Sequence, residues 1–366
     1  MTLVLPAPRA RYGHDSGTVH QRPEPRWAAA ITLVHMATAH SEFPGVRLHV
    51  VSGKGGTGKT TVAGALALAL ASGGRRVLLV EVEARQGIAR LFDTAPLPYE
   101  EKKIASARDR GEVFALAIDP EAALLDYLEM FYNLRRAGSA LKRMGAVDFA
   151  TTVAPGLRDV LLTGKTCEAV RRVTAGKPTY DAVVMDAPPT GRISNFLNVN
   201  SEVAGLAKVG PIKNQADSVM RVMRSASTKV HLVTLLEEMP VQETIDGVYQ
   251  LRDDALPVGG IVVNQIQPPT LPEESLAAAR AGKLTHASIE RGLVGAGVAA
   301  SVAKKAAPGL ALEARRHAER VDLQRQERQR LSTLKLPTAE LPYLSDGVDV
   351  GGLYELAERL KDQGFA

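Results

Sequence analysis

Gly53-Lys54-Gly55-Gly56-Thr57-Gly58-Lys59-Thr60-Thr61 decides the reading of this chain. The nine residues fit the phosphate-loop pattern G-x-x-x-x-G-K-[ST], and their flanks supply the context that the pattern needs. Arg47-Leu48-His49-Val50-Val51 predicts a short strand before the loop, and the Ala- and Leu-rich run from Val62 to Ala71 predicts a helix after it. Gly53, Gly55, Gly56 and Gly58 let the backbone curl until several N–H groups, those of Thr57 and Thr61 among them, face one phosphate chain. The helix N-terminus adds its positive dipole end. Lys59 is expected to neutralise the β- and γ-phosphates of ATP, and Thr60 to offer its hydroxyl to Mg2+.

Lys54 is a second lysine that an ordinary phosphate loop does not need. Next to the first glycine it cannot easily reach its own nucleotide, but it can reach the γ-phosphate held by a subunit facing it. It would then act in trans, as an arginine finger does, an effect on the order of a thousand-fold in rate. That reading requires a face-to-face dimer.

The chain of 366 residues is long enough for one large α/β domain or two ordinary ones. It is poor in aromatics, and its net charge of +5 is too small to argue for nucleic acid. The single cysteine, Cys167, excludes an internal disulfide and a Cys-x-x-Cys metal clamp, and suits a reducing cytosol. No apolar run of membrane-spanning length is present, so no stable membrane insertion is expected. Residues 1–44, rich in Pro, Arg and His, read as a disordered extension or a mis-assigned start with Met36 as the true one.

Further apolar runs predict strands at Val77–Val80, Val113–Ile118, Ala182–Met185, Val230–Leu235, Ile261–Val263 and Ala339–Leu341. Helices are expected after Asp119, around Ala140-Leu141 and from Leu157 to Val173. Strands that are apolar throughout and alternate with helices predict an α/β phosphate-loop fold, with a mostly parallel sheet covered by helices on both faces. Residues 45–366 would form this domain, with helical inserts around 84–177 and 268–336. The second insert carries Arg315, Arg316, Arg320, Arg325, Arg328 and Arg330 among acidic residues and without aromatics, which favours a solvated helix face over a nucleic-acid surface.

Ligands of such sheets bind beyond the carboxyl ends of the strands. Asp186, at the end of an apolar strand and followed by Ala187-Pro188-Pro189-Thr190-Gly191-Arg192, is expected in the Mg2+ shell with Thr60. Glu83 is the choice for orienting the attacking water, with Glu81 as the fallback. Arg85 and Arg192 suit either phosphate contacts or surface ion pairs. Asn264 has an amide that suits an adenine edge, and Pro342 could pack on the base.

With those residues on the page, the chain resembles the arsenite-pump and tail-anchored-protein-targeting ATPases. The likeness rests on the two-lysine loop, Asp186-Ala187-Pro188-Pro189-Thr190-Gly191, Val263-Asn264-Gln265 and Leu341-Pro342, in that order. Pro155–Asp159 and Leu344–Asp349 are similar to actinobacterial members, which often occur as paired subunits. The resemblance implies a nucleotide-sandwich dimer, homo- or heterodimeric, that closes on ATP and opens after hydrolysis. It implies that Lys54 crosses the dimer and that Asn264 and Pro342 contact adenine. The family's first switch carries Asp-Pro-Ala-His where this chain has Glu83-Ala84-Arg85-Gln86, and Arg192 replaces a histidine. The arsenite-binding cysteines and the zinc-binding Cys-x-x-Cys are missing, which argues against arsenite transport. The expected function is therefore a cytoplasmic, Mg2+-dependent ATPase that binds and releases a protein or membrane-associated client. The competing readings are a spatial organiser of the septum-placement or partition type and an ATP-binding scaffold subunit. The helix from Asp119 to Leu134 could line a client groove, or Leu124, Leu128 and Phe131 could belong to the core.

Overall fold

A computed structural model describes residues 41–132, 155–206 and 211–366. The order begins with β1 (Leu48–Gly53), α1 (Lys59–Ala71), β2 (Arg76–Glu81), α2 (Gly87–Leu91), β3 (Lys102–Ser106), β4 (Glu112–Ala117), α3 (Pro120–Tyr132) and α4 (Pro155–Arg171). A small hairpin of β5 (Val173–Thr174) and β6 (Lys177–Pro178) leads to β7 (Ala182–Asp186), α5 (Thr190–Leu206), α6 (Pro211–Met223), β8 (Thr228–Thr234), α7 (Glu238–Asp253) and β9 (Val258–Ile266). Three helices follow, α8 (Glu273–Arg280), α9 (His286–Gly295) and α10 (Ala300–Ser332), and then β10 (Thr338–Pro342) and α11 (Val350–Asp362).

The eight-stranded sheet runs β10-β9-β8-β1-β7-β2-β4-β3. Every neighbouring pair is parallel except β3 and β4. Alternate residues feed two cores, as the strand period of two requires. Leu48, Val50, Leu78 and Val80 join Phe196 and Val219 on one face, while Val51, Val77 and Leu79 join α1 and α11 on the other. All ten residues from Val62 to Ala71 are buried, which explains why α1 is apolar on every side.

The tail helix α11 is capped by Asp349, whose carboxylate accepts from the Gly352 N–H at 2.7 Å. Its apolar stripe, Leu353, Leu356, Ala357 and Leu360, is buried in the same core as α1. Each such leucine contributes roughly 1.5–3 kcal/mol of burial. The apolar face of the tail is therefore committed to the fold. Among the described residues no helix is long and apolar enough to cross a membrane.

The first insert is not wholly helical. Besides β4 it carries β3, an antiparallel edge strand that the sequence reading lacks. Lys102 and Lys103 keep that edge solvated and charged, which disguises the strand and protects it from pairing with other chains. The helix expected to reach Val173 ends at Arg171, because Val173 already belongs to the first strand of the hairpin. Asp119 caps α3 through the Ala122 N–H at 2.8 Å, and Leu124 is buried in the core. Residues 1–40, the Ala140-Leu141 segment, and the side chains of Leu128 and Phe131 lie outside the described residues. In the second insert, Arg315, Arg316, Arg325, Arg328 and Arg330 all face carboxylates within the chain, the solvated mixed-charge face that the sequence predicted.

His49 on β1 and His231 on β8 are fully buried and stacked with an interplanar angle of 10°. The Gly260 N–H donates to His231 Nδ1 at 3.1 Å, so the His231 proton sits on Nε2 and points at His49 Nδ1, also 3.1 Å away. Burial pushes His49 down from 6.5 to about 4 and His231 well below its usual value. The unfolded chain binds protons that the fold refuses, so this stability is whole above pH 6.5 and is lost as pH falls toward 4. Lowering the pH from about 7.5 to about 5 should cost on the order of 2 kcal/mol at His49, with His231 acting in the same direction, and lower the urea midpoint accordingly. A midpoint that stays put would mean that the folded pair accepts a proton.

Candidate functional site

The loop between β1 and α1 has a fixed backbone for steric reasons. A side chain at Gly53 would meet the Val233 carbonyl oxygen at 2.2 Å, and Gly58, at φ +86°, would meet Asn264 Nδ2 at 2.4 Å. Thr57 is buried and its hydroxyl donates to the Lys54 carbonyl at 2.9 Å. Asn264 donates from Nδ2 to the Thr57 carbonyl at 2.9 Å. Gly58 sits at the N-cap of α1 with no side-chain cap, and the first turn carries no acidic residue. The first amides of α1 are thus open to an anion.

The sheet order places β7 between β1 and β2, and the register sets Glu81 beside Asp186. A cavity of about 290 Å3 forms there, lined by loop residues Gly56, Lys59 and Thr60 with Glu81, Glu83 and Asp186. The Thr60 hydroxyl donates to Asp186 Oδ2 at 2.7 Å. Burial lifts the Asp186 carboxyl to about 6, opposed by the Thr60 hydrogen bond and the Lys59 charge. Burial also pulls the Lys59 ammonium below its usual range, against Asp186 and Glu83.

Glu81 is 2% exposed. Its Oε2 accepts from the Ile88 N–H at 3.0 Å, while Oε1 is buried without a partner. A buried carboxylate oxygen left unpaired is costly, on the order of 1–3 kcal/mol or more. The orphan oxygen beside the Thr60–Asp186 pair fits a hydrated divalent cation. Among the described residues no group of three or more His, Cys, Asp or Glu is arranged to hold a metal by itself. A magnesium ion held mainly by phosphate and water needs only one or two protein oxygens.

Glu83 lies at the rim, with Oε1 3.5 Å from Arg85. The turn behind it contains Ala84 and Gln86 in the left-handed region, at φ 53° and 54°. Gln86 latches it, donating to the Leu97 carbonyl at 3.1 Å and accepting from the Leu97 N–H at 2.8 Å. Lys54 is ion-paired with Glu243 of α7 in its own chain, and Thr190 donates to the same carboxylate at 3.4 Å. No motif marks Glu243 in the sequence. Asn264 and Pro342 do not line the loop cavity; Asn264 sits behind Gly58 and Pro342 ends β10.

Known proteins resemble this chain closely. Residues 46–227 match the anion-transporting ATPase family. ATPase BagA of Mycobacterium tuberculosis is 55% identical over 325 residues, which cover 88% of this chain and 95% of that protein. The putative arsenical pump-driving ATPase 2 of Aquifex aeolicus is 24% identical over 263 residues, 64% of this chain and 84% of its own. ATPase GET3 of Rhodotorula glutinis is 25% identical over 249 residues, 59% of this chain and 69% of its own.

Asn264 has two candidate partners, the Thr57 carbonyl and an adenine edge. Asn264→Ala should weaken ATP and GTP binding alike, by about fivefold to tenfold, the value of one hydrogen bond that orders the loop. A loss confined to ATP would instead assign the amide to the base. Titrating both nucleotides against wild type and variant separates the two roles.

Proposed function

The chain belongs to the anion-transporting ATPase family, and from that premise we propose that it is a cytosolic, dimeric, Mg2+-dependent ATP hydrolase. Nucleotide binding and hydrolysis would close and open a nucleotide-sandwich dimer, made with a second copy or a related subunit, to bind and release a protein or membrane-associated client. The observation that carries this reading is the convergence of Lys59, Thr60, Asp186, Glu81 and Glu83 on one cavity at an uncapped helix start.

In this reading the open amides of α1 and Lys59 bind the phosphate chain and fix its direction. Thr60 and Asp186 would hold Mg2+, with the unpaired Glu81 Oε1 close by. Bound there, Mg2+ would neutralise charge on the phosphate chain. Glu83 accepts a proton from the attacking water and turns its lone pair toward phosphorus. The extra methylene of glutamate leaves the carboxylate more rotational freedom than an aspartate's, so the water is held less firmly, which favours slow turnover. Lys54 leaves Glu243 and reaches the partner's γ-phosphate. The ion pair within one chain keeps a lone subunit idle until that exchange occurs.

The client half of the reading draws on the second insert. Val302, Leu310 and Leu312 of α10 are 56%, 43% and 50% exposed. A cavity of about 500 Å3, walled by Leu271, Leu284 and Ile289, opens between α8, α9 and α10. A spatial organiser would need a tail helix free to dock on lipid or a DNA-binding face; the apolar stripe of α11 is buried in the same core as α1, and Arg315, Arg316, Arg325, Arg328 and Arg330 face carboxylates of the chain.

Lys59→Ala should abolish ATP binding. Lys54→Ala should keep ATP affinity within about twofold of wild type yet slow saturated turnover by roughly a thousand-fold. Unchanged turnover in the Lys54 variant would remove the trans lysine from the mechanism. ATP-dependent dimerisation, followed by light scattering, tests the sandwich itself.

A further inference from the structure

Next to the loop cavity lies a second cleft, of about 210 Å3, for which the hydrolytic reading has no use. Three guanidinium groups line it from three separate elements: Arg85 from the turn after β2, Arg158 from the first turn of α4, and Arg192 from the first turn of α5. Like charges brought together in a fold need a counter-ion. The carboxylates present compensate only in part. Arg85 stands 3.5 Å from Glu83 and Arg192 stands 3.6 Å from Asp159, both beyond hydrogen-bonding distance. Arg158 makes no ion pair among the described residues. Each guanidinium carries five donors in a rigid fork. The cleft therefore carries more donors than the protein supplies acceptors for, and Arg85 and Arg192, 70% and 64% exposed, turn the remainder toward solvent.

The walls sharpen the case. Leu162 and Phe196 are buried and close the floor, which strengthens any charge interaction above them. Burial raises the Asp159 carboxyl above its usual value even though Arg192 and Arg158 oppose it. Glu83 and Arg85 border both this cleft and the loop cavity, so the two are contiguous.

We propose that the arginine cleft binds inorganic phosphate and receives the phosphate freed by hydrolysis at the loop. The second clause rests on the ATPase reading; the first does not. Tetrahedral oxyanions offer acceptors in several directions, which suits three forks converging from separate elements better than a planar carboxylate would. Glu83 and Asp159 would repel a bare anion such as sulfate. Hydrogen phosphate carries a proton that it can donate to either carboxylate, so the cleft should prefer it.

The test uses the full chain with Lys59→Ala, which weakens the loop's own claim on anions, and titrates inorganic phosphate and sulfate by calorimetry, with Arg158 variants separating the cleft from the amides of α1 that remain. Phosphate should bind one per chain, with sulfate weaker by about tenfold or more; adding Arg158→Ala should weaken phosphate by about tenfold or more, and Arg158→Lys, which keeps the charge but loses the fork, should fall between. The proposal is overturned if Lys59→Ala protein takes up no phosphate, if phosphate and sulfate bind alike, or if Arg158→Ala leaves the titration unchanged. ATP binding and turnover by wild-type protein are read separately. A wild type that binds phosphate in the cleft but fails to hydrolyse ATP would overturn the ATPase reading and the hydrolytic origin of the phosphate, while the binding site would stand.

Discussion

A helix that starts without a side-chain cap leaves its first amides with nothing to bond, and the whole site is arranged around that deficit at α1. Gly58 cannot cap the helix, and no acidic side chain in the first turn answers the dipole. An anion is the natural complement. Its place is fixed at both ends of the loop, where Gly53 closes β1 against Val233 and Gly58 starts α1 against Asn264 through contacts that only glycine permits. Everything polar nearby then follows from strand order. Because β7 lies between β1 and β2, their carboxyl ends deliver Asp186 and Glu81 to the same level.

That arrangement is costly without a guest. Asp186 is pushed up by burial, and Glu81 keeps one oxygen unpaired inside the protein. Two buried carboxylates side by side are unfavourable unless a cation joins them. The fold tolerates the cost because both faces of the sheet carry large apolar cores, and α1 is buried along nearly its whole length. Strain is held in a similar way at the turn behind Glu83, where two non-glycine residues in the left-handed region are secured by the Gln86 amide.

Much of this was legible from residue order. Apolar runs marked the parallel strands, since interior strands are buried on both faces, and the loop pattern with Asp186 located the phosphate end of the sheet. The unread parts share a physical cause, which is that they depend on contacts far apart in sequence. Lys102 and Lys103 hide the edge strand because an edge is half solvent. Glu243 meets Lys54 only because α7 passes the loop. Gln86 reads as an ordinary polar residue until Leu97 is brought against it. Asn264 was legible as a residue at a strand end, but its donor, pointed toward adenine by chemistry alone, is engaged with the Thr57 carbonyl. Arg158 gains meaning only when α4 and α5 set it beside Arg85 and Arg192.

The long helix α10 has a mechanical consequence. Its 33 residues make a rod of about 50 Å. Leu331 roots its carboxyl end in the core, and Arg328 ties that end to Glu340 on β10. The amino-terminal half, with Val302 and Leu310 outward, is far from that pivot. A rotation of only about five degrees at the root would swing the distant tip by roughly 4 Å over such a length. Any small tilt at the root would thereby be magnified into several ångströms of travel at the far end.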